Sequence, residues 1–278
     1  MLRQFFKNMK SGTEFLNYGR QIIRDWGGLY LDGLAREAAN AGDMSPTFRV
    51  LDIGCGHGTD IWNIKEEAEK RARLDDRSVT VELHGIENYP PYVKELKEVG
   101  IAVHSLDIER EEYPGADGSY DIVIANQVLE HTKELFWIFA ETARLLKPGG
   151  LFLVGVPNLA SLHNRFLLLF GQQPTCQQNM SAHVRGFTRP DLRTFAETGG
   201  YFRMAGTAGS NFYPFPPALS RPMARVFPAL AWGLFARLER TDAQGDFLEC
   251  LTDDMLETPF YGSPQNPARR AKKKRTRR

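Results

Sequence analysis

The chain has 278 residues, of which 42% are hydrophobic and 25% charged, with a net charge of +1. That size suits one α/β domain of about 200–250 residues with additions, and the lack of any apolar run of about 20 residues excludes a membrane-spanning helix. Residues 269–278 (RRAKKKRTRR) carry eight positive charges, which leaves −7 over the remainder, so the body of the protein offers no basic face for nucleic acid.

Three cysteines, Cys55, Cys176 and Cys250, are odd in number and far apart, so neither a disulfide framework nor a zinc site is read from them, and no metal is expected. No secretory apolar segment opens the chain, and a cytoplasmic location is expected. Residues 1–42 read as an N-terminal helical region. Phe5, Phe6, Met9, Phe15, Leu16, Ile22, Ile23, Trp26, Leu29 and Leu34 recur at loosely helical spacing, with Gly27-Gly28 expected to interrupt them. Residues 43–49 read as a loop and about 48–53 as the first strand.

That strand runs into Gly54, Gly56 and Gly58, glycines at alternate positions, and a helix to roughly Arg73 follows from Thr59. Ile61, Trp62, Ile64 and Ala68 read as its inner face. Glycine supplies the backbone angles of a tight turn and lets the main chain approach a ligand closely. The dinucleotide fingerprint would need G-x-G-x-x-G, but Thr59 stands where its third glycine should be, and the phosphate loop's Gly-Lys-Ser/Thr end is missing. What remains, Asp52-Ile53-Gly54-Cys55-Gly56-His57-Gly58, resembles the first motif of class I S-adenosylmethionine-dependent methyltransferases. The alternative is a glycine-rich turn with no ligand.

The resemblance implies S-adenosylmethionine as cofactor, with Asp52, Gly54, Cys55, Gly56 and Gly58 passing under its methionine part and ribose. It extends down the chain. Val79–Ile86 reads as strand two, and Glu87 at its end, with Asn88 beside it, matches the acid that accepts the ribose hydroxyls. Pro90-Pro91 opens a helix, and strand three, Ile101–Leu106, leads to Asp107 and Ile108, which match the adenine contacts. An exposed strand-end glutamate and a turn aspartate are the plain alternatives. Strand four, Tyr120–Ala125, leads to Asn126 and Gln127, which the resemblance places against the sulfonium and methyl, and Leu129-Glu130-His131 matches a family tripeptide. Helix Glu134–Leu146 ends at the Lys147-Pro148-Gly149-Gly150 stop before strand five, Leu151–Val156.

The expected fold is therefore a Rossmann-like, doubly wound, mostly parallel sheet with its last strand antiparallel and helices on both faces. Residues 43–240 form the methyltransferase domain, with acceptor-side insertions at 158–187 and 208–230. Residues 159–171 read as an apolar helix, Thr188 as the cap of a helix over 189–198, about 201–205 as strand six, and the final strand falls within 231–239. His183-Val184-Arg185-x-Phe187-Thr188 resembles a segment of small-molecule and glycan-associated methyltransferases. His183 reads there as a candidate base and His131 as a positioning group, since imidazole titrates near neutrality. Arg185 either holds an anionic acceptor group or, like His183, caps loop carbonyls. The proline- and aromatic-rich residues 211–230 read as an acceptor flap, a dimer contact, a patch for peripheral membrane contact, or local packing. Residues 241–278 lose periodicity and are expected to be a disordered basic tail. The expected activity is O-methylation of a small-molecule, lipid or glycan acceptor; methylation of protein or RNA and non-catalytic cofactor binding are the rivals.

Overall fold

Runs of Val, Ile, Leu and Phe that end in glycine or a polar residue supply the strands. In the computed structural model, which describes residues 12–250, these are β1 Thr47–Ile53, β2 Thr80–Ile86, β3 Ala102–His104, β4 Tyr120–Asn126, β5 Leu146–Pro157, β6 Phe202–Ser210 and β7 Gly233–Arg240. They form one sheet in the order β3-β2-β1-β4-β5-β7-β6. The pairings from β3 to β5 are parallel, and β7 runs antiparallel between β5 and β6. The chain winds outward from β1 to β3, then crosses back to start β4 against β1. That switch leaves the ends of β1 and β4 open to a ligand, as doubly wound sheets do.

Helices α1 Gly12–Asn40, α2 Thr59–Leu74, α3 Pro90–Glu98, α4 Leu135–Leu145, α5 Leu162–Leu169, α6 Arg189–Glu197 and α7 Pro217–Val226 surround the sheet. Alternate residues of each strand feed opposite faces. On one face Ile122, Ile124, Leu153 and Phe235 meet Ile23, Leu31, Ile61 and Ile64 of α1 and α2. On the other, Val123, Phe152, Val154 and Leu238 meet Ile138, Phe139, Leu192 and Ala196 of α4 and α6. A third, smaller cluster joins Tyr18 of α1 to Phe212, Ala224 and Ala231, so the proline- and aromatic-rich stretch packs locally on the first helix. Among the described residues no helix is long and apolar enough to cross a membrane.

Three expectations are corrected. Gly27-Gly28 does not break the first helix, which is continuous over Gly12–Asn40. A Cβ on Gly27 would stand 2.5 Å from Ile64 and one on Gly28 2.5 Å from Glu67, so the pair is where α1 and α2 touch. Trp62 faces outward and donates its indole N–H to Glu66 at 3.1 Å. The ordered chain also continues beyond residue 240. Thr241 donates to the Gly200 carbonyl at 2.6 Å, and Phe247 is buried against Phe136, Phe139, Phe195 and Phe202. Phe5, Phe6, Met9 and the basic residues 269–278 lie outside the described residues.

Candidate active site

The turn after β1 is built by glycine. Gly54, Gly56 and Gly58 have φ of 66°, 52° and 70°, a region that side chains with a Cβ rarely adopt. A Cβ on Gly54 would come within 2.8 Å of Val128, and one on Gly58 within 2.7 Å of Leu96, so those two are also demanded by packing. Gly56 is different: among the described residues beyond its chain neighbours, nothing lies within 4 Å of where its Cβ would be. Bare backbone there faces open space at the rim of the sheet. The Gly54 and Cys55 amides donate to the Ile86 carbonyl at 2.8 and 3.1 Å, tying the turn to β2. The Cys55 side chain turns into the core, where burial pushes its thiol pKa up, so Cys55 offers the site main chain only.

Glu87, just past β2, faces that turn. One carboxylate oxygen accepts the Gly56 amide at 2.9 Å, and the other accepts the Asn88 and Tyr89 amides, both at 2.8 Å. The acid is thus held in one orientation from both sides of the rim. Asn88 donates to the Leu106 carbonyl at 2.7 Å and accepts from Ser105 at 2.9 Å, so it braces the end of β3. Asp107 follows that brace. Its carboxylate accepts the Glu109 amide at 3.0 Å and lies 3.4 Å from Arg110, the behaviour of a turn aspartate. Ile108 packs against the core beside it.

Two acids are buried under the junction of β1 and β4. Asp52 is held well above the usual carboxylate range, first by burial and then by the charge of Asp60. Asp60, in the first turn of α2, is raised by burial and partly relieved by Asn126, which donates to it at 2.9 Å, and by Arg20 at 3.7 Å. The amide oxygen of Asn126 is buried with no hydrogen-bond partner among the described residues. Gln127 sits at the tip of β4 with φ of 59°, a strained angle for a non-glycine residue, and its amide donates to Gly155 at 2.7 Å. A ligand with a positive centre and polar hydrogens suits these groups. Sequence reading missed Asp60, which looks like an ordinary acid favouring a helix N-terminus.

Beyond Gln127 the chain makes a single 3-10 turn, Leu129–His131, ahead of α4. The amides of Val184 and Arg185 donate to the Glu130 carbonyl at 2.8 and 3.2 Å, which brings His183 to His131 with their rings edge to face at 4.7 Å. Burial lowers the His131 pKa, and burial pushes Glu130 up to about 7. Arg185 uses its guanidinium on the carbonyls of Thr132 and Lys133, so it fastens the loop and does not await an anion. The loop stands on a buried knot in which Asn158 donates to Ala229 and Ala231, and Asn164 donates to Asn158 and accepts from Thr175.

A glycine turn, a fixed acid on the next strand and a polar tip on the fourth, all at the switch point of this strand order, define the class I S-adenosylmethionine-dependent methyltransferases. The open space at Gly56 and the unpartnered Asn126 oxygen fit that cofactor. Residues 18–201 match the model of a methyltransferase domain family, and the chain belongs to it. It is 34% identical over 152 residues to a probable S-adenosylmethionine-dependent methyltransferase of Mycolicibacterium smegmatis, a match covering 55% of this chain and 51% of that one. It is also 34% identical over 106 residues to a ubiquinone biosynthesis O-methyltransferase of Sodalis glossinidius, covering 36% of this chain and 38% of that one. A crystal structure of an S-adenosylmethionine-dependent methyltransferase from Archaeoglobus fulgidus superimposes with a TM-score of 0.48 at 16% identity, covering 77% and 94% of the two chains. The chain spans at most about half the length of these curated relatives.

Proposed function

We propose that this chain transfers the methyl group of S-adenosylmethionine to an oxygen of a small-molecule, lipid or glycan acceptor. Gly54, Gly56 and Gly58 would hold the cofactor with Glu87, Asn126 and Gln127, and Asp107 and Ile108 would border its base. When bound, the cofactor supplies an electrophilic methyl on a sulfonium. Because such a transfer needs mainly alignment and exclusion of water, the chain's own task is to fix the acceptor and take its proton.

The observation that carries the oxygen reading is the pairing of His131 and His183 directly after the β4 tip. His183 holds its Nδ1 on the Cys176 carbonyl at 3.1 Å, which leaves Nε2 free to accept a hydroxyl proton. His131 stands against it as a positioning residue. The O-methyltransferase relative supports the same reading. The test uses methyl-labelled S-adenosylmethionine with cell-extract fractions, followed by identification of the labelled compound. Label on a hydroxyl oxygen is expected, and His183→Ala should lower turnover while cofactor affinity holds. Label confined to nitrogen, or wild-type turnover in His183→Ala, would overturn the proposal.

A further inference from the structure

Beside the cofactor residues, three electron-pair donors converge. Glu130 is 1% exposed, and neither of its carboxylate oxygens has a hydrogen-bond partner among the described residues. His131 Nε2 lies 3.9 Å from one of those oxygens. One nitrogen from each of His131 and His183 and one Glu130 oxygen all lie within 4.8 Å of one another.

The tautomers follow from the neighbours. His131 turns Nδ1 to the Ala182 carbonyl at 3.3 Å, and His183 turns Nδ1 to the Cys176 carbonyl at 3.1 Å. A carbonyl only accepts, so each Nδ1 carries the proton and each Nε2 is a bare lone pair. Imidazoles that bind metals are oriented in the same way, by a carbonyl or carboxylate on the far nitrogen. In its ionised form this buried carboxylate faces lone pairs with no donor between them, an unfavourable arrangement that a cation resolves.

We propose that Glu130, His131 and His183 form a binding site for a divalent transition-metal ion of the zinc class. Two imidazoles and one carboxylate are a zinc-type donor set that keeps a position open. Magnesium and calcium favour oxygen ligands, so they fit less well. Metal–ligand bonds of about 2 Å put ligand atoms roughly 3.3 Å apart, so the side chains must draw in by up to about 1.5 Å. His131, at 42% side-chain exposure, has room to do so. The two segments are already latched together through the Glu130 carbonyl. The site does not rest on the acceptor reading. An ion there takes the lone pair that reading gives to a proton, so the two uses of His183 exclude each other at any moment.

The test is calorimetric titration of zinc chloride into the metal-stripped full chain, with visible absorption of cobalt(II) alongside. One ion per chain is expected, with the intense cobalt bands of a low-coordinate site. Glu130→Gln, His131→Ala and His183→Ala should each weaken zinc by at least about tenfold, since even the loss of an outer partner of a metal ligand does that. S-adenosylmethionine affinity should hold in the same variants, which shows that they fold. The exposed position of His131 makes its variant the safest if the buried Glu130 change fails to fold. No zinc binding, zinc binding indifferent to the three changes, or a preference for magnesium would overturn the proposal. None of these measurements needs a methyl acceptor, so they stand or fall apart from the proposed reaction.

Discussion

Glu87→Gln tests the proposed ribose role of this acid apart from its role as a brace. The carboxylate serves three amides, Gly56 at 2.9 Å on one oxygen and Asn88 and Tyr89 at 2.8 Å on the other. A glutamine has one oxygen. Kept toward Asn88 and Tyr89, its NH2 group meets the Gly56 amide donor to donor; reversed, it meets two donors. The first orientation costs less, so the variant keeps the β2 end and loses the link to the glycine turn, together with the negative charge offered to the ribose hydroxyls. A hydrogen bond to a charged group contributes about 1.5–3 kcal/mol, which corresponds to a loss of about 10- to 150-fold in affinity. Calorimetry with S-adenosylmethionine and with its demethylated product should show equal losses, because both carry the ribose. Unchanged affinity would remove Glu87 from the site. A loss confined to the sulfonium form would refute the ribose reasoning and assign the acid to the positive centre.

Other outcomes follow from the same geometry. Gly56→Ala should cost the free protein only the left-handed backbone strain of about 1–2 kcal/mol, because its Cβ meets nothing within 4 Å. It should nevertheless abolish most cofactor binding; a melting loss with affinity intact would refute the close-approach reading. Asp52 and Asp60 are both raised by burial, with Arg20, Asn126 and Glu87 as the charged and polar groups around them. A bound sulfonium favours their ionised forms, so affinity for S-adenosylmethionine should fall as pH drops through the raised pKa values, with proton release on binding above neutral buffer blanks. The uncharged thioether product should show a weaker trend, and calorimetry in buffers of different ionisation heat checks both. Arg144→Ala should destabilise the fold by about 3–5 kcal/mol in urea titrations, since it removes the guanidinium paired with a buried carboxylate. Arg144 pairs with the fully buried Glu141 at 2.7 Å and holds the Tyr113 carbonyl at 2.8 Å. A loss under about 1 kcal/mol would mean that Glu141 finds another partner or a proton.

The candidate rim was legible as a pattern because each of its parts stands at a strand end. Glycines after β1, an acid after β2 and polar residues after β4 leave a spacing that strand lengths alone reproduce. Groups whose meaning depends on what they face were not legible. Gly27 and Gly28 look like helix breakers in one dimension, yet they are contact points on α2 in three. Trp62 falls on the inner stripe by spacing but turns outward to Glu66. Asp60 drew no reading and Glu130 only one as part of a tripeptide, and only the packing of α2 under β4, and of the 183–185 loop over the 3-10 turn, buries them. Arg185 read equally as an anion ligand or as a cap on loop carbonyls, and the carbonyls of Thr132 and Lys133 within its reach make it the cap.

The aromatic nest around Phe247 sets a limit on how short the protein can be made. Its ring lies between 5.4 and 6.4 Å from those of Phe136, Phe139, Phe195 and Phe202, so it plugs α4 and α6 together against β6. A version trimmed after the closing hairpin strand would keep every residue of the glycine-turn rim and still leave a greasy hole behind it, a penalty of about 3–5 kcal/mol by analogy with removing a core phenylalanine. A cut placed before Cys250 therefore opens the core.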